Sequence, residues 1–419
     1  MNNKLVITKM EKSTQEQPNK FGNISRKFVV SALFEKSVLK EINFDPIEET
    51  DILSNIYIGR VENIVKNIQA AFIEIEKGLK CYYSLEDNEN PIFTKKNGKN
   101  NLNIGDELLV QVSKEAIKTK AAVVSSNLNF KGKYFILTTE IQKIGYSNKL
   151  DKKQKSKLQN LLQDFKMDSF GMIVRTNAQS ASKEQLEMEW NHLKTLCSEL
   201  LEKAPYRTCF SLLYQANPKY LEPLNSSYCN DIDEIITDDE NIYRELKEYS
   251  NKEQSLIEKL KFYDDKLLPL VKLYSIEKHM DSILKERVWL KSGAYIIIQP
   301  TEAFVSIDVN TGKFVGKKRL QETFLKINLE AAEEIAKQIR LRNLSGICVI
   351  DFIDLEREED KKVLMNSFKK YLELDPIPIH LVGMSKLNLV ELTRKKIRKS
   401  IYEQVSIKCP LCHGNGYLY

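Results

Sequence analysis

Two aspartates stand at the ends of apolar, β-branched runs: Asp308 in Phe304-Val305-Ser306-Ile307-Asp308-Val309-Asn310, and Asp351 in Gly346-Ile347-Cys348-Val349-Ile350-Asp351. Each run reads as a buried strand that delivers one carboxylate at its C-terminal end. Asn310, two residues beyond Asp308, points to the same side of an extended strand. Two carboxylates with an amide beside them suit a hard divalent cation such as Mg²⁺. One aspartate alone could equally cap the loop that follows it; two in matched contexts favour the metal. A second kind of chemistry sits in Cys409-Pro410-Leu411-Cys412. Two thiolates at that spacing are half of a tetrahedral Zn²⁺ site, and His413 is badly placed to be a third ligand. The simplest closure is a homodimer in which each chain gives two sulfurs to one shared zinc. A redox pair would need a thioredoxin-like context, which is missing.

The elements that must position the aspartates can be read around them. Between the two strands lies a periodic helix over roughly 320–342, giving strand–helix–strand. Such a crossover pairs the strands in parallel and brings Asp308 and Asp351 to the same edge of one sheet. Asp354, in the same loop as Asp351, reads as structural. From Lys386 to Lys408 the chain is basic, with Arg394-Lys395-Lys396 and Arg398-Lys399 close together, whereas 231–240 is acidic. Charge runs are commonly solvated helix faces; here the basic run follows the carboxylates and could hold phosphates near a metal.

Earlier in the chain the pattern changes to short strands punctuated by Gly and Asn. Ile56 to Val61, Ala70 to Ile75 and Glu107 to Val112 are separated by turns at Gly78, Asn97-Gly98 and Gly105-Asp106, the mark of a small barrel. The stretch Asn88 to Asn103 reads as a mobile loop. Beyond it, Met172 to Thr176 forms a strand, and Ser182-Lys183-Glu184-Gln185 caps a helix running to Lys203. Residues 231–290 read as mostly helical, with a heptad-like stretch from Leu246 to Tyr263.

Bulk properties set limits. A chain of 419 residues with 42% hydrophobic and 29% charged residues is an ordinary globular protein of more than one domain. No apolar run approaches the ~18 residues needed to span a bilayer, and the N-terminus lacks a signal-peptide core, so a cytoplasmic location is expected. The net charge of +6 is too small to prove a polyanion partner. Seven cysteines, an odd number, argue against a disulfide framework. Cys81, Cys197, Cys209, Cys229 and Cys348 read as reduced structural residues.

Four stretches together resemble the core of the ribonuclease E/G family. They are Asp308-Val309-Asn310-Thr311-Gly312, Asn328 to Ala336, Gln338-Ile339-Arg340-Leu341-Arg342 and Val349-Ile350-Asp351-Phe352-Ile353-Asp354. Their order and spacing also fit, and Tyr57-x-Gly59-x-Val61 with Ala71-Phe72 and Gly105-Asp106 resembles an S1-like OB barrel. The resemblance covers about 56–416 and lies nearer the ribonuclease G end. It implies an α+β multidomain fold: a ribonuclease-H-like domain in two pieces (1–50 and 220–283), interrupted by the S1-like barrel (51–125) and a 5′-sensor region (126–219). A DNase I-like catalytic domain (284–405) and a zinc-link tail (406–419) follow.

The same resemblance assigns roles. Asp308 and Asp351 would hold catalytic Mg²⁺, with Asn310 orienting them. Phe72 and Tyr82 would stack on bases of single-stranded RNA, with Lys114 nearby, although an isolated Phe is more often core. Arg175 and Thr176 would grip a 5′-monophosphate, helped by the residue at 386. The activity implied is endonucleolytic cleavage of single-stranded, A/U-rich RNA to 5′-phosphate and 3′-hydroxyl ends, in rRNA or mRNA processing. Cys409 and Cys412 would be the intersubunit zinc link, and a dimer the expected assembly. Three positions depart from the family's pattern. Asn177-Ala178-Gln179-Ser180 replaces a glycine-rich turn, Lys120 replaces a glycine, and Lys386 replaces an arginine whose bidentate fork a lysine cannot reproduce. A rival reading is a non-catalytic RNA-binding or ribosome-associated protein using the barrel and basic run alone. The three site residues together argue against it, and the barrel disfavours a DNA-directed nuclease.

Overall fold

A computed structural model describes residues 3–13, 25–48, 52–99, 101–116, 120–140, 142–148, 150–225, 232–250, 254–312, 320–396 and 399–406. The chain forms two compact units, one made of 1–49 with 230–419 and the other of 50–229. The architecture is mixed α+β.

The first unit holds two sheets. In the five-stranded one, Asn3–Ser13 is central. It pairs antiparallel with Ser25–Glu35, which pairs antiparallel with Val38–Pro46. On its other side Asn3–Ser13 runs parallel to Glu234–Thr237, which is parallel to Leu260–Phe262. Lys36 and Ser37 both take positive φ (48° and 67°), the backbone that a two-residue hairpin turn demands. Val6, Phe28, Phe44, Ile276, Met280 and Ile283 bury this sheet against the helix Ile276–Leu284.

The second sheet has six strands, in the order Arg287–Trp289, Tyr295–Pro300, Val305–Asn310, Gly346–Asp351, Leu389–Arg394, Ile379–Met384. Only the Val305–Asn310 and Gly346–Asp351 pair is parallel. Helices Leu320–Leu341 and Glu358–Leu372 are packed on one face, where Ala331, Ala332, Ile335, Leu364 and Phe368 meet Ile296, Ile307, Ile350 and Leu392. The alanines let the long helix approach the sheet closely. Both carboxylate-bearing strands are therefore buried on one face rather than two. Along Val305–Asn310 buried and half-buried residues alternate strictly, as expected when helices cover a single side.

In the second unit, Ile56–Val65, Ala70–Glu76, Leu79–Ser84, Val123–Ser125 and Glu107–Lys114 pair in that order, and the last returns to the first. The result is a closed five-stranded barrel filled by Val61, Ala71, Ile73, Cys81, Tyr83, Val110 and Val124. A four-stranded sheet follows, in the order Asn129–Lys131, Phe135–Thr138, Gly171–Val174, Ile144–Tyr146. Helix Lys183–Lys203 covers it with Leu186, Trp190, Leu193 and Cys197, and starts at the Ser182/Gln185 capping box.

Two sequence expectations need correction. The heptad-like stretch Leu246 to Tyr263 is not one helix: Glu240–Ser250 and Gln254–Ile257 are helical, but Leu260–Phe262 adds to the sheet edge beside Glu234–Thr237. Strand pairing from a distant segment overrides the local period there. The Asn88 to Asn103 stretch is not all loop: Phe93–Lys95 is a strand paired with Leu108 and Glu107. Buried Asp106 accepts from the backbone N–H of Asn97 (2.6 Å) and Asn103 (2.7 Å), and Asn88 bridges Ser84, Ser125 and Ser126. Cys81, Cys197 and Cys348 are buried free thiols; burial pushes them up to about 11, 12 and 12.

Candidate functional site

The alternation of Val305–Asn310 sends Ile307 and Val309 into the core and leaves Ser306, Asp308 and Asn310 on the open face of the sheet. Gly346–Asp351 does the same, with Cys348 and Ile350 buried and Asp351 exposed. The parallel register sets Asp308 directly beside Asp351. Asn310 Nδ2 donates to Asp308 Oδ2 at 2.6 Å. The Asp351 carboxyl is raised above the ordinary aspartate range, first by burial and then by the neighbouring charges of Asp308 and Asp354. Asp354 accepts from Asn388 Nδ2 (3.2 Å), whose Oδ1 accepts from Lys361 Nζ (3.2 Å).

What holds the pair in place is supplied by the residues around the strands. Asn328, fully buried on the long helix, donates to the Ile353 carbonyl (2.7 Å) and accepts from its N–H (3.1 Å), fixing the loop after Asp351. Two residues on, Glu330 accepts from the backbone N–H groups of Lys291 and Ser292 and fixes the hairpin before Tyr295. Gly312 has φ +64°, and a Cβ there would lie 2.3 Å from the Gly293 carbonyl oxygen, so no other residue fits. Arg342 donates to Gln338 (2.7 Å) and Tyr402 (2.5 Å), tying the helix C-terminus to residues 399–406.

Arg394 does not serve the open face. It is 3% exposed and paired with Asp375 (3.0 Å), with further bonds to Asn343 and the Leu344 carbonyl. Its register partner is Gly346, at the far end of the strand from Asp351. The expectation that Arg394 would hold phosphates near a metal is therefore wrong; a buried guanidinium needs its internal carboxylate. Arg398 lies outside the described residues.

On the barrel, Phe72 pairs across strands with Tyr82, Tyr82 with Val123, and Val123 with Lys114. Phe72 and Tyr82 are half-buried, outside the barrel core, with rings edge-to-face at 6.3 Å, and Lys114 is exposed. Arg175 follows the strand Gly171–Val174, and Thr176 opens a 3₁₀ turn running to Ser180. The Arg175 N–H donates to the Tyr134 carbonyl (2.8 Å) and its guanidinium to the Gly132 carbonyl. Asn177 is buried and its side chain donates to the Lys133 carbonyl, so the position that replaces a glycine-rich turn is anchored by its own amide. Lys120 is exposed. Lys386, in the other unit, is exposed in a turn and lines a groove of about 690 Å³ with Lys361, Lys362, Asn366 and Asn388. Cys409 and Cys412 lie outside the described residues.

The model of the Ribonuclease E/G family matches residues 129–397, about two thirds of the chain. The chain belongs to the ribonuclease E/G family. It is 32% identical over 397 residues to "Ribonuclease G" of Haemophilus influenzae, covering 92% of this chain and 81% of that protein. "Ribonuclease G" of Escherichia coli is 30% identical over the same length and coverage. "Ribonuclease E" of Synechocystis is 30% identical over 402 residues, 94% of this chain and 59% of that protein. The family match contains Arg175, Thr176, Asp308, Asn310, Asp351 and Lys386, but begins after the barrel residues and ends before the cysteines.

Within this family member, two groups escaped the sequence reading. Glu189 sends its carboxylate under the loop that carries Arg175's partners, accepting N–H bonds from Lys133 (2.9 Å), Tyr134 (2.8 Å) and Phe135 (2.9 Å). A Cβ on Gly132 would sit 2.3 Å from Glu189 Oε1. Burial pushes Glu189 up, while the three amides and the Arg175 charge pull it back. Nothing local marks it, because a Glu on a helix face usually meets water. The second group is Arg287, Trp289 and Tyr295, on the same open face as Asp308; one of only two tryptophans in the chain was a usable signal.

Among the described residues no helix is long and apolar enough to cross a membrane. No group of three or more His, Cys, Asp or Glu side chains among them could hold a metal ion. Asp308 and Asp351 are two, with an amide beside them. The donors are all oxygen and stand side by side in register, so the residues present fit Mg²⁺.

Proposed function

We propose that this chain is a Mg²⁺-dependent endoribonuclease that hydrolyses single-stranded RNA at the open sheet face. The observation that carries the reading is the side-by-side register of Asp308 and Asp351, with the Asn310 amide bonded to Asp308. Asp308 and Asp351 would hold the ion. When bound, Mg²⁺ supplies Lewis-acid stabilisation of the phosphoryl charge and lowers the pKa of water. Asn310 keeps one Asp308 oxygen fixed, so the carboxylate does not rotate as substrate arrives. Asn328 holds the Asp351 loop against the helix for the same purpose. The strands keep both carboxylates within a rigid frame, which suits a reaction governed by positioning.

The finer parts of the reading rest on the resemblance of motifs. Phe72 and Tyr82 offer half-buried rings in one row with Lys114, an arrangement that favours stacking of unpaired bases beside a cation. Arg175 and Thr176 would grip a 5′-monophosphate. Preference for A/U-rich strands, 5′-phosphate and 3′-hydroxyl products, a role in rRNA or mRNA processing and a cytoplasmic location belong to the same proposal. Cys409 and Cys412 would bind a Zn²⁺ shared between two protomers, since one chain offers only half the thiolates of a tetrahedral site.

Incubation with a 5′-monophosphorylated, A/U-rich oligonucleotide tests the core of it. Internal cleavage with Mg²⁺, none with EDTA, and products carrying 5′-phosphates are expected. Binding without cleavage in Mg²⁺ would instead favour a non-catalytic RNA-binding protein.

A further inference from the structure

The open face of the six-stranded sheet extends past the carboxylates toward its free edge. Register sets Arg287, Ile297, Asp308, Asp351 and Leu389 in one row across the strands. The adjacent row is Trp289, Tyr295 and Asn310. Side chains in both rows point away from the helices, since their strand neighbours Ile296, Ile307, Val309 and Ile350 fill the core. Strands are ~4.8 Å apart, so Tyr295 is one strand from Asn310 and Trp289 is two strands, ~10 Å, away.

These three residues are arranged for a purpose that packing does not account for. Trp289 is 63% exposed and no neighbour covers its ring beyond Tyr295 and Arg287 among the ring contacts of the described residues. Its ring meets Tyr295 edge-on at 5.2 Å. The Arg287 guanidinium lies over both rings, 4.6 Å from the Tyr295 centroid and 5.8 Å from that of Trp289. Arg287 forms no ion pair among the described residues, so its charge is left for an anion. Two rings and a guanidinium on the two strands at the edge, and two carboxylates with an amide on the two strands beside them, divide the face by charge. The acidic half suits a cation and the phosphate it binds; the aromatic and basic half suits a base and the next phosphate along the strand.

We propose that Trp289, Tyr295 and Arg287 form a stacking platform that seats one unpaired nucleobase next to the phosphate being cut. This rests on the reading of Asp308 and Asp351 as the site of RNA hydrolysis. The platform acts in substrate binding. A base lying on Trp289 fixes the backbone so that the adjoining phosphate lies over the carboxylates, and Arg287 meets the neighbouring phosphate. A duplex hides its base faces, so the platform admits single strands only.

Binding can be read without cleavage. Trp190 is 2% exposed, so the quenchable tryptophan emission of this two-tryptophan chain belongs to Trp289. In EDTA, a short single-stranded oligoribonucleotide should quench that emission, and Trp289→Phe should abolish the quench. In Mg²⁺, Trp289→Ala should lower kcat/KM roughly 5- to 100-fold, with Trp289→Phe recovering most of it. An abasic nucleotide at one position beside the cut should make wild type and Trp289→Ala equal. Absence of quenching, or a Trp289→Ala rate within about twofold of wild type, would overturn the platform, because stacking is worth more than that. Emission that changes with protein concentration but not with RNA would also overturn it and make the face a contact between copies. Quenching that depends on Trp289 in a protein that cuts nothing would leave the platform standing and remove the hydrolase reading.

Discussion

Asp308 and Asp351, the carboxylates proposed to hold the ion, are kept in place by neighbours with no chemistry of their own. Asn328 is the clearest of these. Its side chain satisfies both the N–H and the carbonyl of Ile353 from a fully buried position. Asn328→Ala should leave both groups unpaired and cost about 1–3 kcal/mol of stability. Denaturant unfolding measures that, and turnover should fall further than RNA affinity as the Asp351 loop loosens. The polar residues of the stretch Asn328 to Ala336 could be recognised in the sequence but not explained by it. Only the structure gives Asn328 and Glu330 their work as tethers to loops distant in the chain. Arg394 teaches the opposite lesson. In the sequence it belongs to a basic run, yet Asp375, nineteen positions earlier, takes its charge in the interior. Composition cannot distinguish a solvated cation from one paired inside the fold.

At the scale of elements, periodicity was legible wherever one face is buried. The alternation in Val305–Asn310, the long helix after it and the capping box at Ser182 follow from local patterns. The strand at Leu260–Phe262 does not, because its hydrogen bonds are made to Glu234–Thr237. Glu189 is likewise invisible locally. It fastens the loop 132–135, whose carbonyls hold Arg175 in turn. If Arg175 grips a 5′-monophosphate, wild type should cut a monophosphorylated oligonucleotide on the order of tenfold faster than its 5′-hydroxyl counterpart, the worth of a charge-assisted bond. Arg175→Ala should erase the difference, and Glu189→Ala should reduce it while cutting of the 5′-hydroxyl substrate changes little. Equal wild-type rates on both substrates would mean that Arg175 and Thr176 do not grip a 5′-phosphate.

For the whole molecule, residues 1–49 join 230–419 in one compact unit, a discontinuity that composition does not reveal. The proposed zinc link predicts assembly: about one zinc per two chains, since a tetrahedral site needs four ligands and Cys409 and Cys412 would supply two per chain. Replacing Cys409 and Cys412 with serine should release the metal and give monomers, read by metal analysis and light scattering. One zinc per chain, or a zinc-free dimer, would contradict the shared site. The central claim is that two adjacent carboxylates on the open sheet face hold the ion that cuts RNA. Single-turnover cleavage of a single-stranded RNA by Asp351→Asn, alongside wild type over a Mg²⁺ titration, tests it most directly. Loss of an anionic ligand should lower the rate by orders of magnitude with RNA affinity nearly unchanged. A variant that cuts at the wild-type rate with the wild-type Mg²⁺ dependence would contradict the account.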